Sequence, residues 1–297
     1  MKIIMRKPRT IFQALILCLL LTGAPALINL TAHAEEPPPD TDSAHTFTTL
    51  DSLFTRYQPY LENISAHEPV YFLRGVNPEK SKFQLSMKYR FINPSMSLSQ
   101  QYPWTRGFYF AYTQTSFWDL KSDSRPFDDT SYKPEAFFLS PNLFSGSGFN
   151  HLFLQTGYQH ISNGKDDDAS RSTNIIYIYP IFIFMHQKSG YGFMIAPKIW
   201  IDSNNNAYDN PDLFDYWGYF DLGFKFGKAD GAVFETHWRK ASKGDSFTAD
   251  LTFPIDGLFP THLQIYLHAQ YADSLAESLL NYRQRTHAMR LGVSIVR

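Results

Sequence analysis

From about Val70 to the end of the chain, apolar and polar residues alternate in short segments separated by turn residues. A period of two residues is typical of a half-exposed β-strand, and the 3.6-residue period of an amphipathic helix is scarce here. One segment places all its apolar side chains on a single face: Phe83, Leu85, Met87, Tyr89 and Phe91. The pattern therefore predicts an all-β fold.

Counting this period along the chain predicts twelve strands. They lie at 69–76, 83–92, 106–118, 134–140, 150–163, 173–186, 190–201, 214–227, 231–240, 246–254, 262–271 and 285–296. Many of them reach the roughly 9–11 residues that a tilted strand needs to cross a bilayer, and an even number suits a closed bacterial barrel. We therefore expect a transmembrane antiparallel β-barrel of 12 strands over residues 68–297. A secreted β-sandwich is the alternative.

The direction of the strands follows if both termini of the barrel face the periplasm, as is usual. Odd-numbered strands then run outward and end in long external loops. On this basis the third and fifth predicted strands enter external loops at 119–133 and 164–172.

The first 34 residues have the pattern of an export signal. A basic start precedes an apolar run at 11–21, and Ala32 and Ala34 stand at the spacing of a cleavage site. We expect 1–34 to be a signal peptide and 35–67 to be an N-terminal lead-in; a lone anchor helix is the alternative for the first segment. After Ala34 no apolar stretch is long enough for a helix to span a bilayer.

The composition of the chain further limits the class of protein and its partners. The net charge of -1 gives no reason to expect nucleic acid as a partner. Aromatic residues form 16% of the chain, which suits the girdles of a membrane barrel or the core of a sandwich. The only cysteine, Cys18, lies in the predicted signal, so the mature chain would hold no disulfide.

Three polar residues near the outer rim could carry chemistry. On the fifth predicted strand the even-numbered residues form the more lipid-compatible face, and His160 and Ser162 belong to it. Because they are two residues apart on one face, the imidazole and the hydroxyl can meet. On the sixth strand Asn174 shares a face with apolar residues, although the opposite face is apolar too. Polar groups that point to lipid are costly unless partnered or functional, so the three residues are a candidate Ser-His-Asn set. A rim pair that water and lipid headgroups satisfy is the alternative.

The loop after the fifth strand offers a second set of candidates. Gly164 follows Ser162 by two residues, and its backbone N–H could donate to an oxyanion. The loop then supplies oxygen atoms of the kind that calcium prefers, from Asp166, Asp167, Asp168 and Ser170. A solvated acidic loop is the alternative on composition alone.

Residues 155–177 resemble the outer membrane phospholipase A family. In that family His-x-Ser-Asn-Gly is followed by a polar loop and by Ser-Arg-Ser-x-Asn, and this chain has both at matching spacing, at 160–164 and 170–174. A weaker resemblance covers about residues 50–297. The resemblance implies that His160 is the base, Ser162 the nucleophile and Asn174 the third member of the catalytic set. It also implies that Gly164 is the donor to the oxyanion.

The resemblance also implies Ca²⁺ bound between two monomers. Its ligands would be the carbonyl of Lys165, which stands where the family usually has Arg, and the hydroxyl of Ser170. Ser124 would come from the external loop of the partner, a loop that is one residue shorter here than the family pattern. Asp167 would add charge nearby. Gln114, high on the third predicted strand, could hydrogen-bond across the dimer seam or support the site; an ordinary polar residue at the rim is the alternative.

The expected function is therefore calcium-dependent hydrolysis of phospholipid acyl esters, of the A1/A2 and lysophospholipase type, by a homodimer in the outer membrane of a Gram-negative bacterium. Two other functions remain open. A porin-like channel would conduct ions without hydrolysing lipid, and a receptor barrel would bind partners through its loops.

Overall fold

The computed structural model describes residues 63–77, 80–124, 126–144, 150–186, 188–206, 208–255 and 265–297. These residues all belong to the second of two units, Thr49–Arg297. The predicted signal peptide at 1–34 lies outside the described residues, as does most of the predicted lead-in at 35–67.

The described chain is built mainly from antiparallel strands. The strands are β1 Ile64–Ser65, β2 Val70–Asn77, β3 Lys80–Arg90, β4 Phe108–Asp119, β5 Phe127–Leu139, β6 Asn150–Ser162, β7 Ser172–His186, β8 Tyr191–Asp202, β9 Phe220–Lys228, β10 Val233–Ala241, β11 Gly244–Pro254, β12 Tyr266–Leu275 and β13 Arg285–Val296. Two short α-helices are α1 Ser97–Gln101 and α2 Leu213–Trp217, and two 3₁₀ turns are Pro103–Gly107 and Asp167–Ala169.

Strands β2 to β13 close on themselves. Each pairs with its neighbours in the chain, and β13 pairs with β2, so none of these twelve strands leaves an open edge. The short strand β1 adds to β3 through the pairs Ile64↔Tyr89 and Ser65↔Lys88, so the end of the predicted lead-in is attached to the barrel. The expected all-β, twelve-stranded antiparallel barrel is confirmed.

The alternation along each strand separates an apolar outside from a polar inside. On β3 the side chains of Leu85 and Met87 are exposed, whereas Gln84 and Ser86 are buried. A bilayer would cover such an outward apolar face, while inward polar groups pair with one another in the lumen. In the part of the chain that the structure describes, no helix has both the length and the apolar character needed to span a membrane.

Several predicted strand boundaries are wrong, and the two largest errors concern β5 and β9. The predicted external loop 119–133 is shorter, because Phe127–Leu139 forms β5, of which only the second half was predicted. Near its start both faces of β5 carry polar residues, such as Thr130 outward and Ser131 inward, so no apolar contrast marks this part of the strand. The predicted strand 214–227 begins only at Phe220, because Leu213–Trp217 forms α2. Its apolar residues pack over the barrel end instead of alternating.

The lumen holds a network of buried charges beside a cavity of about 610 Å³. The Glu277 carboxylate, in the loop between β12 and β13, contacts the Lys82 ammonium at 3.2 Å and the Arg290 guanidinium at 2.7 Å. Burial would raise the pKa of the Glu277 carboxyl, but the two cations lower it to about 2. The loop is therefore held to the barrel by an ion pair that stays charged at neutral pH.

We expect Glu277→Gln to destabilise the folded barrel by about 3–5 kcal/mol at pH 7, because two buried cations lose their common partner. Denaturant unfolding from lipid vesicles measures the change. Since the folded pKa lies below the unfolded value, the contribution of Glu277 is present above about pH 4.5 and is lost as pH falls towards 2. The difference between variant and wild type should shrink over that interval.

Asp245→Asn is the matched control for this prediction. Asp245 pairs with Lys240 at 3.1 Å on the surface, where both side chains are about half exposed or more. Such a pair contributes roughly 0–1 kcal/mol. Equal losses of stability in the two variants would contradict a structural role for the buried network.

Candidate functional site

The candidate site lies on the hairpin formed by β6 and β7. The two strands pair in antiparallel register, with His160 opposite Asn174 and Ser162 opposite Ser172. The even-numbered residues face outward: Tyr158 is 45% exposed and Ile176 is 46% exposed, whereas Gln159 is 3% exposed. His160, Ser162 and Asn174 all fall on this outward face, at the end of the strands next to the loop 163–171.

His160 and Asn174 are joined directly. The imidazole Nδ1 lies 2.8 Å from the Asn174 amide oxygen. The amide nitrogen of Asn174 donates to the backbone carbonyl of Asn204 at 3.0 Å, and because a carbonyl only accepts, the Asn174 oxygen must face the imidazole. His160 therefore carries its proton on Nδ1, which leaves the lone pair of Nε2 free to accept another proton.

Ser162 lies two residues beyond His160 on the same face. Among hydrogen bonds between described residues, none joins the Ser162 hydroxyl to the imidazole. The structure thus brings His160 and Asn174 into contact and places Ser162 beside them without the closing bond. A bond of this kind often forms only when substrate is present.

The loop 163–171 is held by Asn163, a buried residue to which sequence reasoning gave no role. Its amide nitrogen donates to the Ala169 carbonyl at 2.8 Å, and its oxygen accepts the Arg171 N–H at 2.9 Å. These bonds tie the two ends of the loop together. The sequence contains one indication of this role. Asn163 directly follows the nucleophile candidate and falls on the inward face of the hairpin.

Gly164 adopts a left-handed backbone conformation, with φ of 64°. A Cβ at this position would lie 2.8 Å from the ring of Tyr132 on β5. Both the backbone angle and the close ring require glycine here. The turn therefore has a fixed shape immediately after Ser162.

The loop presents oxygen atoms that suit a hard cation. The carboxylates of Asp166, Asp167 and Asp168 are exposed, and Asp167 has a left-handed φ of 48° that Asp tolerates better than most residues. The Lys165 ammonium donates to the Asp128 carbonyl at 2.8 Å, so its charge is anchored on β5. The chemistry of the loop therefore fits calcium, with oxygen donors only and with the lysine charge bonded elsewhere.

Ser170 and Ser124 occupy different surroundings. Ser170 ends the 3₁₀ turn, where its backbone carbonyl accepts the Arg171 guanidinium at 2.6 Å and its N–H donates to Asp167. Ser124 lies exposed in the loop between β4 and β5. Within this single chain the calcium candidates are therefore split between two loops.

Gln114 lies in the same row across the barrel wall as Ser162. The register pairs Gln114 with Tyr132, and Tyr132 with Ser162, so two strand spacings, about 10 Å, separate the first and last. Gln114 faces outward and is bonded along its own strand, to the Tyr112 hydroxyl at 3.0 Å and to Ser116 at 3.2 Å. The row places an ordered amide on the outward face beside the site.

A second polar cluster lies inside the barrel. Among the described His, Cys, Asp and Glu side chains, His67, Glu68 and Glu135 form the one group close enough to share a metal. Glu135 is buried and already receives bonds from His67 and from the Tyr177 hydroxyl, each at 2.6 Å. This cluster faces inward, and its polar groups bond to one another. It is therefore a structural network separate from the outward-facing His160, Ser162 and Asn174.

Comparison with known proteins agrees with this architecture. The phospholipase A1 family profile matches residues 50–295. A phospholipase A1 from Escherichia coli is 30% identical over 191 residues, which are 63% of this chain and 60% of that protein. The alignment thus spans about three fifths of the length of the curated relatives that the chain matches.

Solved structures show the same fold. Outer membrane phospholipase A from Escherichia coli superimposes with a TM-score of 0.65 at 23% identity, over 79% of this chain and 98% of the other. A calcium-bound dimer of the outer membrane phospholipase from Salmonella typhi gives a TM-score of 0.64 at 22% identity, over 79% and 92%. Barrel and family together place the protein in the outer membrane of a Gram-negative bacterium. The match of the family profile over residues 50–295 shows that this chain belongs to the phospholipase A1 family.

Proposed function

We propose that this protein hydrolyses the acyl esters of phospholipids in the outer leaflet, with Ser162 as nucleophile, His160 as base and Asn174 as the residue that orients His160. The observation that carries the proposal is the 2.8 Å bond between His160 and Asn174 on the outward face, next to Ser162. Lipid that reaches the barrel wall meets these groups directly. Activity on both acyl positions and on lysophospholipids is part of the proposal.

In the first half of the reaction, Ser162 Oγ attacks the ester carbonyl carbon while its proton moves to His160 Nε2. The carbonyl electron pair becomes an oxyanion, to which the backbone N–H of Gly164 donates. The oxyanion collapses, the ester C–O bond breaks, and Nε2 returns its proton to the departing alkoxide. Water then attacks the acyl-serine with His160 again as base, which releases the fatty acid and restores Ser162.

Asn174 differs from the Asp of a more familiar triad because it is neutral. It fixes the tautomer of His160 but stabilises the imidazolium less than a carboxylate does. An additional source of positive charge near the oxyanion would compensate for this difference, which makes a bound cation chemically reasonable.

We propose Ca²⁺ as that cofactor, since a solved structure with the same fold is a calcium-bound dimer. The residues that would hold it are Lys165 through its carbonyl, Ser170 through its hydroxyl and Ser124 from a second copy of the chain, with Asp167 adding negative charge. When bound, calcium supplies positive charge that stabilises the oxyanion. A homodimer would thus complete the site, with Gln114 near the seam, and would form a cleft for the acyl chain.

The proposal is tested with purified protein folded in detergent micelles with calcium, by measuring release of fatty acid from a diacyl phospholipid. We expect steady release of fatty acid with calcium present. A porin-like channel would instead conduct ions in a planar bilayer without any release, and a receptor barrel would show neither behaviour. Absence of hydrolysis by folded dimer with calcium present would overturn the proposed function.

Gly164→Ala should lower kcat about 10²-fold, because the Ala side chain would push against Tyr132 and displace the N–H that donates to the oxyanion. Gly190→Ala is the control: Gly190 has a similar φ of 72° but lies in the turn between β7 and β8 against the flexible Lys228 side chain. The Gly190→Ala variant has a similar backbone strain away from the site, so its kcat should stay near that of the wild type. Equal losses in both variants would mean that backbone strain alone explains the effect.

A further inference from the structure

The Asn174 amide oxygen has a second donor besides His160. The hydroxyl of Tyr158 donates to it at 2.7 Å. Tyr158 lies two residues before His160 on the same outward face of β6, diagonal to Asn174 on β7. The phenol therefore reaches the amide from the membrane side, and the imidazole reaches it from directly across the strand pair.

The Asn174 amide is consequently held at both its oxygen and its nitrogen. Both lone pairs of its oxygen are occupied, by Tyr158 and His160, and its nitrogen donates to the Asn204 carbonyl. The loop that carries Asn204 is itself anchored to β7, since the Ser203 N–H donates to the Asn174 backbone carbonyl at 2.9 Å. Rotation of the amide would break these three bonds and leave its polar groups without the same partners.

We propose that Tyr158 is a positioning residue of the esterase site, which holds the Asn174 oxygen towards His160. This inference rests on the proposed function. Because Asn174 is neutral, orientation of the imidazole is its main contribution, and a group that keeps its amide from turning acts on the rate of the chemical step. Tyr158 touches neither Ser162 nor the ester in this scheme and acts only through Asn174.

Tyr158→Phe removes the hydroxyl and keeps the ring. We expect kcat for phospholipid hydrolysis to fall roughly threefold to tenfold, the effect of losing one hydrogen bond, with KM nearly unchanged. Tyr191→Phe is the matched control, because Tyr191 is similarly exposed on the outer face but lies at the start of β8, where its ring stacks on Phe226. Its kcat should not change.

A double-mutant cycle separates positioning from a merely structural role. In an Asn174→Ala background, Tyr158→Phe should have no further effect on kcat, since the group it acts through is gone. An equal loss in both backgrounds would overturn the inference, as would an unchanged kcat in the single variant. If the wild type hydrolyses phospholipid and Ser162→Ala does not, such results refute the role of Tyr158 and leave the proposed function intact.

Discussion

Ser162→Ala is expected to lower phospholipid hydrolysis by about 10⁴-fold or more, because the variant lacks the only atom that can form the acyl intermediate in the proposed scheme. The barrel itself should fold normally, since the Ser162 hydroxyl faces outward and bonds to no inward residue among those that the structure describes. Release of fatty acid by purified, calcium-loaded protein measures the loss.

Ser172→Ala provides the control for this change. Ser172 lies directly opposite Ser162 in the β6–β7 pairing, so the same atom is removed from the neighbouring strand at the same height. Hydrolysis should remain close to the wild-type rate. Activity retained by Ser162→Ala, or lost equally from both variants, would contradict the assignment of the nucleophile.

The sequence predicts the barrel well because its signal is local. Alternation places every second residue of a strand on one face, and this alone located twelve strands and the outward positions of His160 and Ser162. The outward position of Asn174 is harder to predict, because Tyr177 and Tyr179 make the opposite face of its strand apolar too. The structure shows the reason: Tyr177 faces inward and donates to the buried Glu135 carboxylate, so an aromatic residue serves a polar lumen.

Other parts of the site depend on contacts that no local pattern contains. Asn174 and Asn204 are 30 residues apart in the chain, and their bond exists only because the loop after β8 folds back on β7. The bond from Tyr158 to Asn174 requires the exact register of two strands. The two largest boundary errors have the same origin, since polar residues on both faces of β5 and apolar residues in α2 hide the alternation from which strands are predicted.

Removal of calcium is expected to lower hydrolysis by about 10³-fold, because the oxyanion would lose several kcal/mol of charge stabilisation that neutral Asn174 cannot replace. A chelator added to the assay, followed by excess Ca²⁺, should abolish and then restore the release of fatty acid. Mg²⁺ should restore little, since it requires a tighter octahedral arrangement than a flexible loop of carbonyl and hydroxyl oxygens offers. Asp167→Asn should raise the calcium concentration needed for half-maximal activity.

Asp230→Asn is the control for the loss of charge at Asp167. Asp230 is an exposed acid in the turn between β9 and β10, where it pairs with Lys228 at 3.1 Å, and the variant should keep the calcium dependence of the wild type. Hydrolysis that is indifferent to the chelator would contradict a calcium cofactor. A calcium concentration for half-maximal activity that is equal in Asp167→Asn and wild type would show that Asp167 is not part of the calcium site.

The proposed contribution of Ser124 from the second copy adds a sharper test of the same cofactor. Ser124→Ala homodimers should need more calcium, and Ser162→Ala homodimers should be inactive. Mixing the two variants at low calcium should restore roughly a quarter of the wild-type rate, because half of randomly assorted dimers are mixed and each holds one complete site. Recovery shows that Ser124 acts across the seam. A mixture no more active than the sum of its homodimers would place the calcium ligands within one chain, where Ser124 and Ser170 lie in different loops.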